Sequence, residues 1–160
     1  MSDYSPDQLR ALGFESVGEG VRVSRDARFF AVSGALGDGA RIDAFAVITG
    51  HVRLGRGVHV SPFCFLGGTG GTITLRDGAG LSSHVSVFTK SDDYQDAEPG
   101  APKITGSVYV GENAIVGSGS VLLPGVTVGD GAKIGCACVV GQSVPAKTRV
   151  VSRGIGLVPL

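Results

Sequence analysis

The sequence predicts an all-β fold: a left-handed parallel β-helix of about six triangular coils, with a short N-terminal helix and an external loop near residues 89–103. Three observations predict it. Aliphatic residues recur every six positions, a small or β-branched residue follows most of them four positions later, and Gly/Asp/Asn clusters fall between. A period of six fits neither the 3.6 of a helix nor the alternation of a hairpin sheet. It fits a short strand plus a corner, repeated three times to close a triangular coil, with neighbouring coils stacked at the usual ~4.8 Å strand spacing. Because each coil buries its core only against its neighbours, the ends need caps.

The elements follow in order. Residues 1–16 form the N-terminal cap. Ser5-Pro6-Asp7-Gln8 reads as an N-cap serine, a proline at the first helical position and a glutamine completing a capping box. Leu9, Leu12 and Phe14 are placed to cover the first coil, with Gly13 ending the helix. Residues 17–150 form the β-helix. Its first block of core aliphatics is Val17, Val23, Phe29, Leu36, Ile42, Ile48, Leu54, Val60 and Leu66, with a one-residue slip after Phe29. Gly67-Gly68-Thr69-Gly70-Gly71 is a small insertion before the second block, Leu75, Leu81 and Val87. Residues 89–103 then leave the rhythm altogether; a repeat fold tolerates such excursions on its outside, where functional loops collect. The third block is Ile104, Val110, Val116, Leu122, Val128, Ile134 and Val140. Its small inward column is Val108, Ala114, Ser120, Val126, Ala132, Cys138 and Val144. Corners fall at Gly37-Asp38-Gly39, Gly111-Glu112-Asn113 and Gly129-Asp130-Gly131. Residues 151–160 form a C-terminal tail, apolar from Gly154 to Leu160.

Composition agrees. Glycine supplies 27 of 160 residues, well above its usual ~7%. Lys+Arg and Asp+Glu balance at 14 each, which gives no electrostatic case for nucleic acid or an anionic membrane. No apolar run approaches the ~20 residues that span a bilayer, and no basic-then-apolar stretch opens the chain. Three cysteines without zinc-site spacing, Cys64, Cys136 and Cys138, point to reduced thiols and a cytoplasmic protein. Cys64 and Cys138 fall in the inward column, Cys136 faces outward, and no metal site is expected.

Four stretches carry a family likeness: Leu12-Gly13-Phe14-Glu15-Ser16-Val17-Gly18, Val58-His59-Val60-Ser61-Pro62-Phe63, Ser82-Ser83-His84-Val85-Ser86-Val87-Phe88 and Ser91-Asp92-Asp93-Tyr94. With the repeat, they make the chain resemble the hexapeptide-repeat acyltransferases, and within them the sugar-nucleotide and polysaccharide subgroup of the dTDP-4-amino-4,6-dideoxyglucose acyltransferase type. The resemblance implies an acetyl-CoA-dependent enzyme that acetylates an amino or hydroxyl group of a sugar or sugar nucleotide in surface polysaccharide synthesis. It also implies a homotrimer with active sites between subunits. Backbone amides at Gly117, Ser118, Gly119, Gly135, Cys136 and Ala137 would hold the pantetheine arm, with Arg153 near the CoA base. Two departures stand out. Asp92 occupies the loop position where relatives often carry a catalytic histidine, and Ser152-Arg153-Gly154-Ile155-Gly156 replaces an Asn-Pro-Ala-Lys stretch, with Gln142 in place of a preceding lysine.

Acyl transfer needs a base near the nucleophile and a donor for the developing oxyanion. The histidines are His51, His59 and His84, and none occupies a core position. His59 precedes Val60, which suggests a corner, within a family-like stretch. His84 lies one to two coils on, just before the loop. His51 reads as a surface residue. Asp92 is the third catalytic candidate, able to orient a histidine, while Asp93 and Tyr94 are candidates for binding the acceptor. His59 and Asp92 belong to different corners of one prism and meet only across subunits. Two other readings remain: a non-catalytic β-helix scaffold, and a zinc hydratase of the γ-carbonic anhydrase kind, whose histidine spacing this chain lacks.

Overall fold

A computed structural model of the chain describes residues 3–92, 100 and 102–152. The chain winds as a parallel β-helix with three flat faces. Face 1 is a seven-stranded parallel sheet of two-residue strands: Arg22–Val23, Arg41–Ile42, His59–Val60, Gly80–Leu81, Ile115–Val116, Lys133–Ile134 and Arg149–Val150. Seven rungs exceed the roughly six coils counted from the core aliphatics because Arg149–Val150 adds a rung beyond Val140. Faces 2 and 3 share three long strands, Arg28–Leu36, Val47–Leu54 and Phe65–Leu75, which bend through the corner between them. Later rungs use separate strands: Ser86–Phe88, Val121–Leu122 and Val139–Val140 on face 2, Val108–Val110 and Thr127–Val128 on face 3.

The six-residue register sets the core. Sixteen of the nineteen periodic aliphatics are buried, and so is the whole inward column from Val108 to Val144. Val17 and Phe29 are half-buried at the N-terminal end. Ile104 departs from expectation: it is 41% exposed because it lies outside the coil, in a two-stranded antiparallel ribbon that pairs Lys90–Ser91 with Ile104–Thr105. This ribbon closes the root of the 89–103 loop. Just inside it, the Thr89 hydroxyl, fully buried, donates to the Gly67 carbonyl at 2.6 Å and accepts from the Gly70 amide at 3.0 Å. The Gly106 amide donates to the Thr89 carbonyl at 2.9 Å.

Corners between faces 3 and 1 are stapled by aspartates. Asp38, Asp77 and Asp130 each accept, through Oδ1, the amide of a residue one rung earlier: Glu19 at 2.8 Å, Arg56 at 2.9 Å and Glu112 at 2.8 Å. The N-terminal cap forms as the sequence predicts. Helix Pro6–Leu12 carries the capping box, with the Gln8 amide donating to Ser5 Oγ and the Ser5 amide to Gln8 Oε1. Leu9 and Phe14 are buried, but Leu12 faces outward at 37% exposure. Phe14 opens the first strand, Phe14–Val17, and meets Phe29 edge-on, as does Tyr4. These rings, rather than Leu12, close the first coil.

Candidate functional site

Most of the predicted site residues share one edge of the prism. The corners that follow face 1 hold residues 43–46, 61–64, 82–85, 117–120 and 135–138 on successive rungs. The third position of each has positive φ: Phe45 (64°), Phe63 (62°), His84 (62°), Gly119 (70°) and Ala137 (54°). On the earlier rungs this column is aromatic. Phe45 and Phe63 stack at 5.1 Å and 19°, and Phe63 and His84 at 4.9 Å and 4°. Beyond His84 the column becomes Gly119 and Ala137, so the free ring face of the histidine borders a stretch of corner almost without side chains.

The amides along that stretch divide into two sets. Gly117, Gly119, Gly135 and Ala137 donate to carbonyls of Ile134, Ser83, Val150 and Ser118 at 2.8–3.1 Å. These four are consumed by the ladder, which corrects the expectation that all six amides face a ligand. The amides of Ser118 and Cys136 make no hydrogen bond among the described residues. Both residues are exposed. Two orphan donors one rung apart, on a corner whose positive-φ column carries only Gly119 and Ala137, suit the carbonyl groups of an extended pantetheine arm.

His59 is not at a corner. It opens the third strand of face 1, with its ring half-exposed, because the residue before a core aliphatic lies on the flat face rather than in the turn. Its partner is Asp43, a residue the sequence reading did not single out. His59 Nε2–H donates to Asp43 Oδ2 at 2.8 Å, and Arg41 Nε–H donates to Asp43 Oδ1 at 2.6 Å. Burial pushes the Asp43 carboxyl up, but the His59 and Arg41 hydrogen bonds outweigh it and hold the carboxyl below its ordinary value. An ionised Asp43 fixes the proton of neutral His59 on Nε2 and leaves the Nδ1 lone pair to accept a proton. Arg41 and His59 are register partners eighteen residues apart. That coil length is the signal through which Asp43, sixteen residues before His59, was findable. His59 also walls a cavity of about 240 Å³ with Gly57, Ser61, Ser82 and Ile115.

His51 is committed elsewhere. Arg53 Nε–H donates to His51 Nε2 at 3.2 Å, so Nδ1 carries the proton and donates to Ser33 Oγ at 2.8 Å. The Ser33–His51 contact therefore runs the wrong way to activate the serine. His51, His59 and His84 lie on three different parts of the prism. Among the described residues, no group of three His, Cys, Asp or Glu side chains is placed to hold a metal ion.

Asp92 is exposed at the loop root, separated from His59 by the whole of face 2. Its carboxylate pairs with Lys103 rather than with a histidine. The pair borders a second cavity of about 240 Å³ walled by Thr49, Phe65, Thr69, Phe88 and Lys90. Asp93, Tyr94 and Arg153 lie outside the described residues. Cys64 and Cys138 are buried and Cys136 is exposed, as the register predicts. Burial pushes the Cys64 thiol up to about 11.

Known proteins place this geometry. The family model for bacterial transferase hexapeptide repeats matches residues 36–68 and 107–142. The dTDP-4-amino-4,6-dideoxy-D-glucose acyltransferase of Escherichia coli is 32% identical over 96% of this chain and 84% of its own length. Among solved structures, AntD, an N-acyltransferase from Bacillus cereus in complex with dTDP and 3-hydroxybutyryl-CoA, superposes with a TM-score of 0.82 at 30% identity, covering 92% of this chain and 84% of that one. A point variant of AntD bound to dTDP-4-amino-4,6-dideoxyglucose and coenzyme A gives a TM-score of 0.79 at 30% identity, over 90% and 82% of the two chains. No helix among the described residues is long and apolar enough to cross a membrane. Repeat, register and relatives agree: the chain belongs to the hexapeptide-repeat acyltransferases, the left-handed β-helix family that includes the dTDP-4-amino-4,6-dideoxy-D-glucose acyltransferases.

Proposed function

We propose that this enzyme transfers an acyl group, acetyl in the simplest case, from its CoA thioester to the amino group of a nucleotide-linked amino sugar. The observation that carries this reading is the likeness, over 96% of the chain, to an acyltransferase named for dTDP-4-amino-4,6-dideoxy-D-glucose. The geometry supplies the parts. The acyl-CoA arm lies along this corner, with its thioester carbonyl at the Ser118 amide and a pantetheine carbonyl at the Cys136 amide, Gly117, Gly119, Gly135 and Ala137 shaping the track and Arg153 near the nucleotide end. His84, buttressed by Phe63, flanks it. The acceptor nitrogen attacks the thioester carbonyl as His59 Nδ1 takes its proton, and the Ser118 amide steadies the oxyanion. The C–S bond then breaks, the proton held by His59 passes to the departing sulfur, and CoA leaves as the thiol with His59 again neutral. No acyl-enzyme forms. Asp92, Asp93 and Tyr94 bind the acceptor from the loop.

In this reading the loop of one subunit reaches the face-1 site of the next, which requires a homotrimer in the cytoplasm, where acyl-CoA is available; the product enters surface polysaccharide synthesis. The test is CoA-thiol release with acetyl-CoA and dTDP-4-amino-4,6-dideoxyglucose, together with gel filtration coupled to light scattering. Turnover and a mass of about 49 kDa, three times the 16.2 kDa chain, are expected. Absence of turnover with any nucleotide-linked amino sugar, with no thermal stabilisation by CoA, would instead favour a non-catalytic scaffold.

A further inference from the structure

Face 1 carries an outward column that runs Arg22, Arg41, His59, Gly80, Ile115, Lys133, Arg149. Every position but one has a long or ring-bearing side chain. Gly80 interrupts it directly beside His59, and the interruption opens the cavity of about 240 Å³ that His59 walls.

Neither backbone nor packing calls for glycine there. Gly80 does not have a positive φ, and a Cβ at this position would meet no atom within 4 Å. Every other described glycine has a positive φ or a neighbour within 3.4 Å of such a Cβ. Glycine inside a strand weakens it and commonly marks a place where something approaches the backbone closely.

We propose that Gly80 is a specificity-determining position that admits the sugar ring of the acceptor beside His59, a reading that rests on the acyltransferase function above. A pyranose has a flat C–H face and a rim of polar groups. The bare strand at Gly80 and the exposed Ile115 side chain suit the C–H face; His59, Ser61 and Ser82 suit the rim. A ring seated here carries its amino group to the base it needs. The acyl donor approaches by a different route, along the corner with the free Ser118 and Cys136 amides, so its binding does not depend on the notch.

The experiment compares wild type, Gly80→Ala and Gly80→Val by steady-state CoA release with acetyl-CoA and dTDP-4-amino-4,6-dideoxyglucose. Gly80→Val raises the KM for the sugar nucleotide about tenfold or more, and Gly80→Ala by less. The KM for acetyl-CoA stays within about twofold, the thermal midpoint does not fall, and the assembly keeps its mass. An unchanged acceptor KM in Gly80→Val overturns the inference while leaving the acyltransferase function intact. So does a shift confined to acetyl-CoA, or dissociation of the assembly, which would make the notch a subunit contact. A wild-type enzyme inactive on every nucleotide-linked amino sugar overturns both.

Discussion

Replacing Asp43 with Asn separates the orientation of His59 from its presence. Asp43 now accepts two hydrogen bonds, from Arg41 Nε at 2.6 Å and from His59 Nε2 at 2.8 Å. An asparagine has one acceptor oxygen and one donor nitrogen at those positions. Arginine is always a donor, so the oxygen must face Arg41 and the amide NH₂ must face His59. His59 Nε2 is then forced to accept, its proton moves to Nδ1, and the lone pair that the proposed mechanism uses as its base is lost. General-base catalysis contributes about 10²–10⁴-fold, so kcat falls by about 10² or more. The KM for acetyl-CoA is unchanged, because the proposed donor track at Ser118 and Cys136 lies three and four rungs further along the edge that holds Asp43. Stability falls by about 1–3 kcal/mol at most, the scale of one charge-assisted hydrogen bond, reduced by the partial exposure of the pair. The assay is stopped-time CoA release at saturating acetyl-CoA, with a thermal melt of the same preparation. A variant that keeps kcat within about threefold while melting earlier would show Asp43 to be structural, and would remove His59 as the base.

Four further outcomes follow from the same geometry. His51→Ala keeps full turnover, since Arg53 occupies Nε2 and Ser33 receives the Nδ1 proton; a loss comparable to Asp43→Asn refutes this. Native protein at mild alkaline pH presents one fast thiol to a disulfide reagent, Cys136, and the remaining two only on unfolding; mass mapping that finds Cys64 labelled early is the contrary result. The raised Cys64 value makes its contribution to stability complete below the ordinary 9.0 and lost as pH rises through about 11, whereas that of Asp43 is complete above the ordinary 3.8 and lost as pH falls below it; pH-dependent melts of Cys64→Ala and Asp43→Asn test the two limbs. Leu122→Ala, at a fully buried position inside the prism, costs about 2–5 kcal/mol in denaturant titration, and a cost below about 1 kcal/mol would contradict a packed core.

The fold was legible because a six-residue period has one structural meaning, and sixteen of nineteen aliphatics obey it. Ile104 broke the pattern because its spacing to Val110 is right while its backbone belongs to the ribbon at the loop root; period alone cannot distinguish a rung from a strand just outside it. The site was less legible because its contacts run across rungs. Asp43 and His59 are sixteen residues apart, and only the eighteen-residue coil makes them neighbours. His59 lies on the flat face rather than at a corner, and the one-residue offset between the two is invisible until the hydrogen bonds are drawn. Gly80 gave no signal at all: in a chain with 27 glycines, one that serves neither turn nor packing looks like the rest.

The clasp at Thr89 has a consequence for how such enzymes diverge. Its hydroxyl ties Gly67 and Gly70 to the point where the loop departs, Gly106 returns to the Thr89 carbonyl, and the Lys90–Ser91 ribbon seals the exit. The prism is therefore hydrogen-bonded shut beneath the loop, whatever the loop contains. Loop closure becomes costlier only slowly with length, so residues beyond the ribbon can be lengthened, shortened or exchanged with little effect on the coils. The root behaves as a socket: under the proposed function, acceptor preference is rewritten by insertion beyond the ribbon while the coils beneath are inherited unchanged.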